Sequence, residues 1–253
     1  MNFFFGIKNN LFKSEIQIPL FKNRVSKPSN LKLFGVLPKN DKWSLREIPN
    51  RKINNFFFIL HDEDISNDEI YFLADEKIYE IFDDNKLKKF NSFTDTSPAY
   101  RANFKIYIEN GGFSSFQSEY PHSMIQKQGT ILSSISSLAN TDAEKNFIII
   151  KNIFDQPIQD IFNGYLVNII TKKIEHKYEL KVNHTNFIEI NNSLIRPEIF
   201  FITDKYLGIP IYLSMKKKFL SFEHTHPPHE YILSNNKYVK VSSLKKEINE
   251  ILY

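Results

Sequence analysis

The sequence predicts a mainly β protein, a sandwich or jelly-roll-like stack of antiparallel sheets with a short C-terminal α-helix. Three observations predict it. Short segments rich in Ile, Phe and Tyr recur along the chain between turn-forming residues. Two pairs of these segments flank lysine turns at hairpin spacing. Only the C-terminal stretch carries a clear helical period.

The elements follow in order. Ile16, Ile18 and Leu20 alternate within residues 11–22, and 31–37 and 52–60 are short aromatic and aliphatic runs. Residues 67–82 fit two templates. Ile70, Leu73, Ala74, Ile81 and Phe82 make a helical stripe, while Tyr71–Leu73 and Ile78–Ile81 make a hairpin. Phe104, Ile106 and Ile108 alternate with Lys105, Tyr107 and Glu109, and Asn146–Ile150 reads as a buried strand. Tyr165–Thr171 and Ile174–Val182 form a hairpin across Lys172-Lys173. Tyr206–Met215 and Phe219–His226 form another across Lys216–Lys218. Both lysine turns read as exposed tips that guard sheet edges. Phe187–Ile190 and Ile199–Thr203 add strands, and Leu132–Leu138, interrupted by serines, fits neither template. Ser242 or Ser243 caps a helix carrying Leu244, Ile248, Ile251 and Leu252. The polar stretch 91–99 divides the chain into an N-terminal β-rich region, 1–95, and a sandwich or jelly-roll-like domain with the helix, 96–253.

Composition excludes several classes. The chain has 253 residues, 42% hydrophobic and 25% charged, which is globular rather than disordered. Lys and Arg number 33 against 29 Asp and Glu, and a formal charge of +4 is too small to indicate nucleic acid. With no Cys, disulfide scaffolds, cysteine nucleophiles, zinc–thiolate sites and iron–sulfur clusters are out. The 28 Lys against 5 Arg, 34 Ile and 26 Asn follow A/T-rich codons, which weakens a functional reading of Lys or Asn runs. The seven glycines form neither a dinucleotide fingerprint nor a phosphate loop, so no nucleotide cofactor is expected. The apolar run Phe3–Ile7 is too short for a secretory core, and no run approaches the roughly 20 residues of a spanning helix. A soluble, cytoplasmic protein without a membrane partner is the default expectation.

Two segments suggest chemistry. The first is Glu223-His224-Thr225-His226-Pro227-Pro228-His229-Glu230. On a strand His224 and His226 share a face, and two imidazoles on one face suit a divalent cation such as zinc, iron or manganese. Pro227-Pro228 ends the strand or makes it an edge, so a rigid turn can return His229 and Glu230. Metal-free acid–base work, with His226 as base and Glu230 orienting it, is a second reading. A polar strand end stiffened by prolines is the third. The spacing His-x-His-x3-Glu at His224, His226 and Glu230 resembles the first metal motif of the cupins. The resemblance implies a small β-barrel holding a metal through those side chains and a later His. Here residue 237 is Lys where the pattern has Gly, and no His follows Glu230, so the fourth ligand would come from upstream, His122 or His184.

The second segment runs from Thr94 to His122. Gly111-Gly112 permits positive φ or a close backbone approach. Phe113, Phe116, Gln117, Glu119, Tyr120 and His122 read as a polar loop holding aromatics, typical of ligand sites on β scaffolds. A loop plugging the end of a sandwich is the equal alternative. Arg101 suits a bidentate clamp on a carboxylate or phosphate. Elsewhere, Asp62-Glu63-Asp64 resembles the metal-holding Asp-x-Asp of one class of sugar-nucleotide transferases, and a solvated acidic turn competes.

The leading expectation is a metal-dependent enzyme acting on a small polar substrate such as a sugar or sugar nucleotide. His224, His226 and Glu230 are its metal ligands, and Glu230, His229 and His122 its catalytic groups. Arg101, Gln117, Glu119 and Tyr120 are its substrate-binding residues. The alternative is a non-catalytic glycan-binding or surface-polysaccharide-associated module faced by Phe113, Phe116, Gln117 and Tyr120. A structural or interaction protein is a third reading.

Overall fold

A computed structural model describes residues 2–19, 31–49, 52–54, 57–90, 100–125, 131–137, 139–204, 208–224 and 246–252. The chain opens with β1 (Asn2–Phe3), β2 (Lys13–Pro19), β3 (Lys32–Lys39) and β4 (Lys42–Ile48). Next come β5 (Lys52–Asn54), β6 (Phe57–Leu60), β7 (Ile70–Ala74) and a one-turn helix, α1 (Ile78–Ile81). Then follow β8 (Ala102–Tyr107), β9 (Phe113–Ser118), β10 (Tyr120–Pro121), β11 (Ile131–Ser134) and β12 (Lys145–Lys151). The last strands are β13 (Ile161–Asn168), β14 (Lys173–Lys181), β15 (Thr185–Ile190), β16 (Ile199–Thr203), β17 (Ile209–Lys216) and β18 (Phe219–His224). Residues 246–252 form the C-terminal helix α2.

The predicted class holds: the protein is mainly β, its sheets are antiparallel, and it ends in a short helix. The first sheet runs β5-β6-β2-β8-β9, the second β15-β12-β17-β18, and the third β11-β16-β13-β14. A three-stranded sheet, β4-β3-β7, and the ribbon β1-β10 complete the set. The first sheet takes strands from both sides of residue 95, since β2 pairs with both β6 and β8.

The second sheet is a middle layer, and the reason is visible in β12. Successive side chains of a strand point to opposite faces. Phe147 and Ile149 enter a core with Ile16, Phe104, Ile106 and Phe222. Ile148 and Ile150 enter a second core with Phe162, Leu166, Leu180 and Phe201. A strand buried on both faces must be apolar throughout, which explains the unbroken Phe147–Ile150 run. The helix α2 then covers the outside of the third sheet, where Ile248 meets Val167 and Ile202.

Several local readings change. Residues 67–82 are neither a full helix nor a hairpin: β7 is buried along its whole length and a single helical turn follows. The run 52–60 is two strands, β5 and β6. The presumed polar loop 113–118 is β9, whose inward positions are Ser114, Phe116 and Ser118. β4 was not expected from the sequence, yet Asn40 and Asp41, at φ 51° and 59°, make the tight turn that adds it to β3. The stretch 91–99, Leu20, Tyr206, Ser242, Ser243 and Leu244 lie outside the described residues. Among the described residues no helix is long and apolar enough to cross a membrane.

Candidate functional site

The two segments singled out above come together, because β9 and β18 are neighbouring edge strands of the first and second sheets. Phe116 lies 4.7 Å from Phe222 and stacks on His224 at 4.7 Å with 23° between the rings. His224 closes β18, half-buried, with Nδ1 3.3 Å from the Glu223 carboxylate. His226, His229 and Glu230 lie outside the described residues.

The other candidates occupy distinct settings. Arg101 pairs with Glu119 at 2.7 Å, as the register Ala102↔Ser118 requires. Gln117 stands exposed on the outer face of β9, opposite Asn103. Tyr120 is buried beside Phe5, and its hydroxyl accepts the Ile153 amide at 3.2 Å. Burial pushes that phenol up from its ordinary range. His122 opens a short 3-10 turn with Nε2 3.1 Å from the Leu87 carbonyl, and burial holds its pKa below the usual imidazole value.

The metal-enzyme reading is corrected here. Among the described residues there is no group of three or more His, Cys, Asp or Glu that could hold a metal ion. Asp62 illustrates the reason: its carboxylate is already used. It accepts the Ser14 amide at 3.0 Å and pairs with Lys8 at 2.8 Å and Lys13 at 3.5 Å. Burial alone would raise its pKa, but these partners more than offset that and lower it. The Asp62-Glu63-Asp64 triplet is thus a structural turn. With the metal cluster goes the reading of a metal-dependent enzyme built around it.

Sequence reasoning missed a buried ionic cluster between the sheets. Lys151 ends β12 fully buried, its Nζ donating to the Asn67 carbonyl at 3.0 Å. Burial pushes this amine down to about 7, against the pull of Asp68 and Glu69. Asp68 meets His184 at 2.7 Å, and Arg46 grips the buried Glu69 through two 2.6 Å bonds. Glu69 reaches Arg46 by passing over Gly35, where any Cβ would collide with its carboxylate. A glycine inside a strand was the one sequence sign of this close approach.

It also missed how the two hairpin tips join. The β8–β9 turn closes through Ile108 N–H to the Gly112 carbonyl at 3.0 Å, with Asn110 at φ 57°. The β17–β18 turn carries Lys216, Lys217 and Lys218, with Lys217 at φ 54°. The Gly112 amide donates to the Lys218 carbonyl at 2.7 Å and holds the turns side by side. Gly111 and Gly112 serve this approach, since a Cβ on either would press within 3.0–3.2 Å of that carbonyl.

Each turn leads into an exposed ring. Phe113 is 68% exposed and Phe219 73%, with Phe219 lying against Gly112. Lys105 places its ammonium 5.2 Å from the Tyr107 ring and 5.5 Å from Phe113. None of Lys105, Lys216, Lys217 and Lys218 is held in an ion pair among the described residues. The arrangement offers cations and apolar rings together at the joined turns. No family model matches the chain, and neither a curated protein nor a solved structure matches it.

Proposed function

We propose that this protein is a docking module that meets a polyanionic partner through the joined tips of β8–β9 and β17–β18. The observation that carries this reading is the 2.7 Å bond from the Gly112 amide to the Lys218 carbonyl. It brings together two turns about a hundred residues apart in the chain, and with them two exposed phenylalanines and four lysines. Clustered cations raise the local potential far above what a net charge of +4 spread over the surface supplies. Exposed rings beside them add apolar contact once the partner is close.

The test is retention of the full chain on phosphocellulose at physiological ionic strength. A Lys216→Ser/Lys217→Ser/Lys218→Ser variant is expected to elute at clearly lower salt than the parent. The control removes the same charge at the other lysine turn and in the strand that follows it, as Lys172→Ser/Lys173→Ser with Lys177→Ser in β14, and is expected to elute close to the parent. Equal shifts for both variants mean that net charge alone governs binding, and the reading fails.

A further inference from the structure

We infer that the polyanion met by the joined tips is the surface of an anionic phospholipid bilayer. The inference rests on the docking reading above and names its partner. Aromatic rings and lysine stems suit the boundary between headgroups and acyl chains, where the apolar part enters and the ammonium stays wet. Phe113 and Phe219 are the rings, and Lys105, Lys216, Lys217 and Lys218 the cations around them.

The competing polyanion is single-stranded nucleic acid. It needs open ring faces for base stacking and a groove that tracks the backbone. At the tips Lys105 already occupies one face of both Phe113 and Tyr107. The rings and lysines also sit at and beside the turns of two hairpins. A bilayer asks only that the rings enter while the lysines remain at its surface, and a cation lying over a ring is compatible with that.

Three carboxylates lie near the four lysines and reduce their charge without matching it. Glu144 is engaged with the Lys217 amide at 3.0 Å, and Glu109 stands at the start of the β8–β9 turn. Glu15 stands directly across from Lys105 in the register of β2 and β8, and Asp62 is tied to Lys8 and Lys13.

The experiment is co-sedimentation of the full chain with phosphatidylcholine vesicles and with phosphatidylcholine–phosphatidylserine vesicles. The parent is expected to bind the second and to bind pure phosphatidylcholine far more weakly, by about fivefold for each lysine that reaches the surface. Phe113→Ser/Phe219→Ser is expected to lose about tenfold per ring in vesicle binding. The same variant should keep the parent's elution salt on phosphocellulose and its melting temperature, because both rings are exposed. Vesicle binding unchanged in this variant overturns the inference. So does phosphocellulose retention without phosphatidylserine binding, or binding to poly(U) that falls with the two rings; each of these leaves the docking reading standing. Loss of phosphocellulose retention in the parent itself removes the docking reading as well.

Discussion

Lys151 shows how far a residue's behaviour can depart from its type. Lysine is almost never fully buried, yet this one closes the apolar run of β12, between Thr185 on one side and Ile209 on the other. Its amine is depressed to about 7 by burial, while in the unfolded chain it titrates near 10.4. Between those values the unfolded state holds a proton that the folded state lacks, so stability rises with pH across that window. Below about pH 7 both states are charged and the full cost of burying the cation applies. Urea unfolding at pH 7 and pH 9 is expected to show a gain of about 2 kcal/mol at the higher pH. Lys151→Met should flatten that slope, and an equal slope in both proteins would remove Lys151 as its source. Nothing in the local sequence marked this residue, because its burial depends on two strands more than 30 residues away. His224 makes the complementary point: its spacing to His226 was legible, but its stacking partner Phe116 was not.

Elements were legible where their alternation used apolar residues, and hidden where it did not. β8 and the β13–β14 and β17–β18 hairpins follow the pattern of Ile, Phe, Leu and Tyr read from the sequence. β9 hides because two of its three inward positions are serines, Ser114 and Ser118, which read as polar loop. β4 hides because its turn is Asn40-Asp41 and not the Asn-Gly pair that announces such a hairpin. Both turn residues sit in the left-handed region, which costs a residue with a Cβ more than it costs glycine. Asp41→Gly is therefore expected to stabilise the protein by about 0.5–1 kcal/mol, read as a rise in melting temperature. A fall would mean that the Asp41 side chain contributes more to the native state than its backbone conformation costs.

At the scale of the whole molecule the middle sheet decides cooperativity. Ile148 and Ile149 are adjacent in the chain but serve different cores. Each Ile→Ala change is expected to cost about 2–5 kcal/mol. The two cores share β12, so loss of packing in one loosens the strand that the other packs against. Trp43, the single tryptophan, lies in the first core. Its fluorescence should therefore follow the same unfolding transition as far-UV circular dichroism, even in Ile148→Ala, whose cavity opens in the second core. Transitions that separate in that variant would show layers unfolding independently.

The fold class, the hairpins with apolar strands and the C-terminal helix were legible in the chain alone, because these depend on periodicity within a dozen residues. The sequence also placed lysines at the β17–β18 tip and glycines at the β8–β9 tip, without linking them. It took the folded chain to show that β12 is sandwiched between two sheets, that Asp62 is consumed by Lys8, Lys13 and Ser14, and that Gly112 meets Lys218. These depend on which sheet edges and faces meet. Contacts between residues a hundred positions apart leave no periodic trace along the chain.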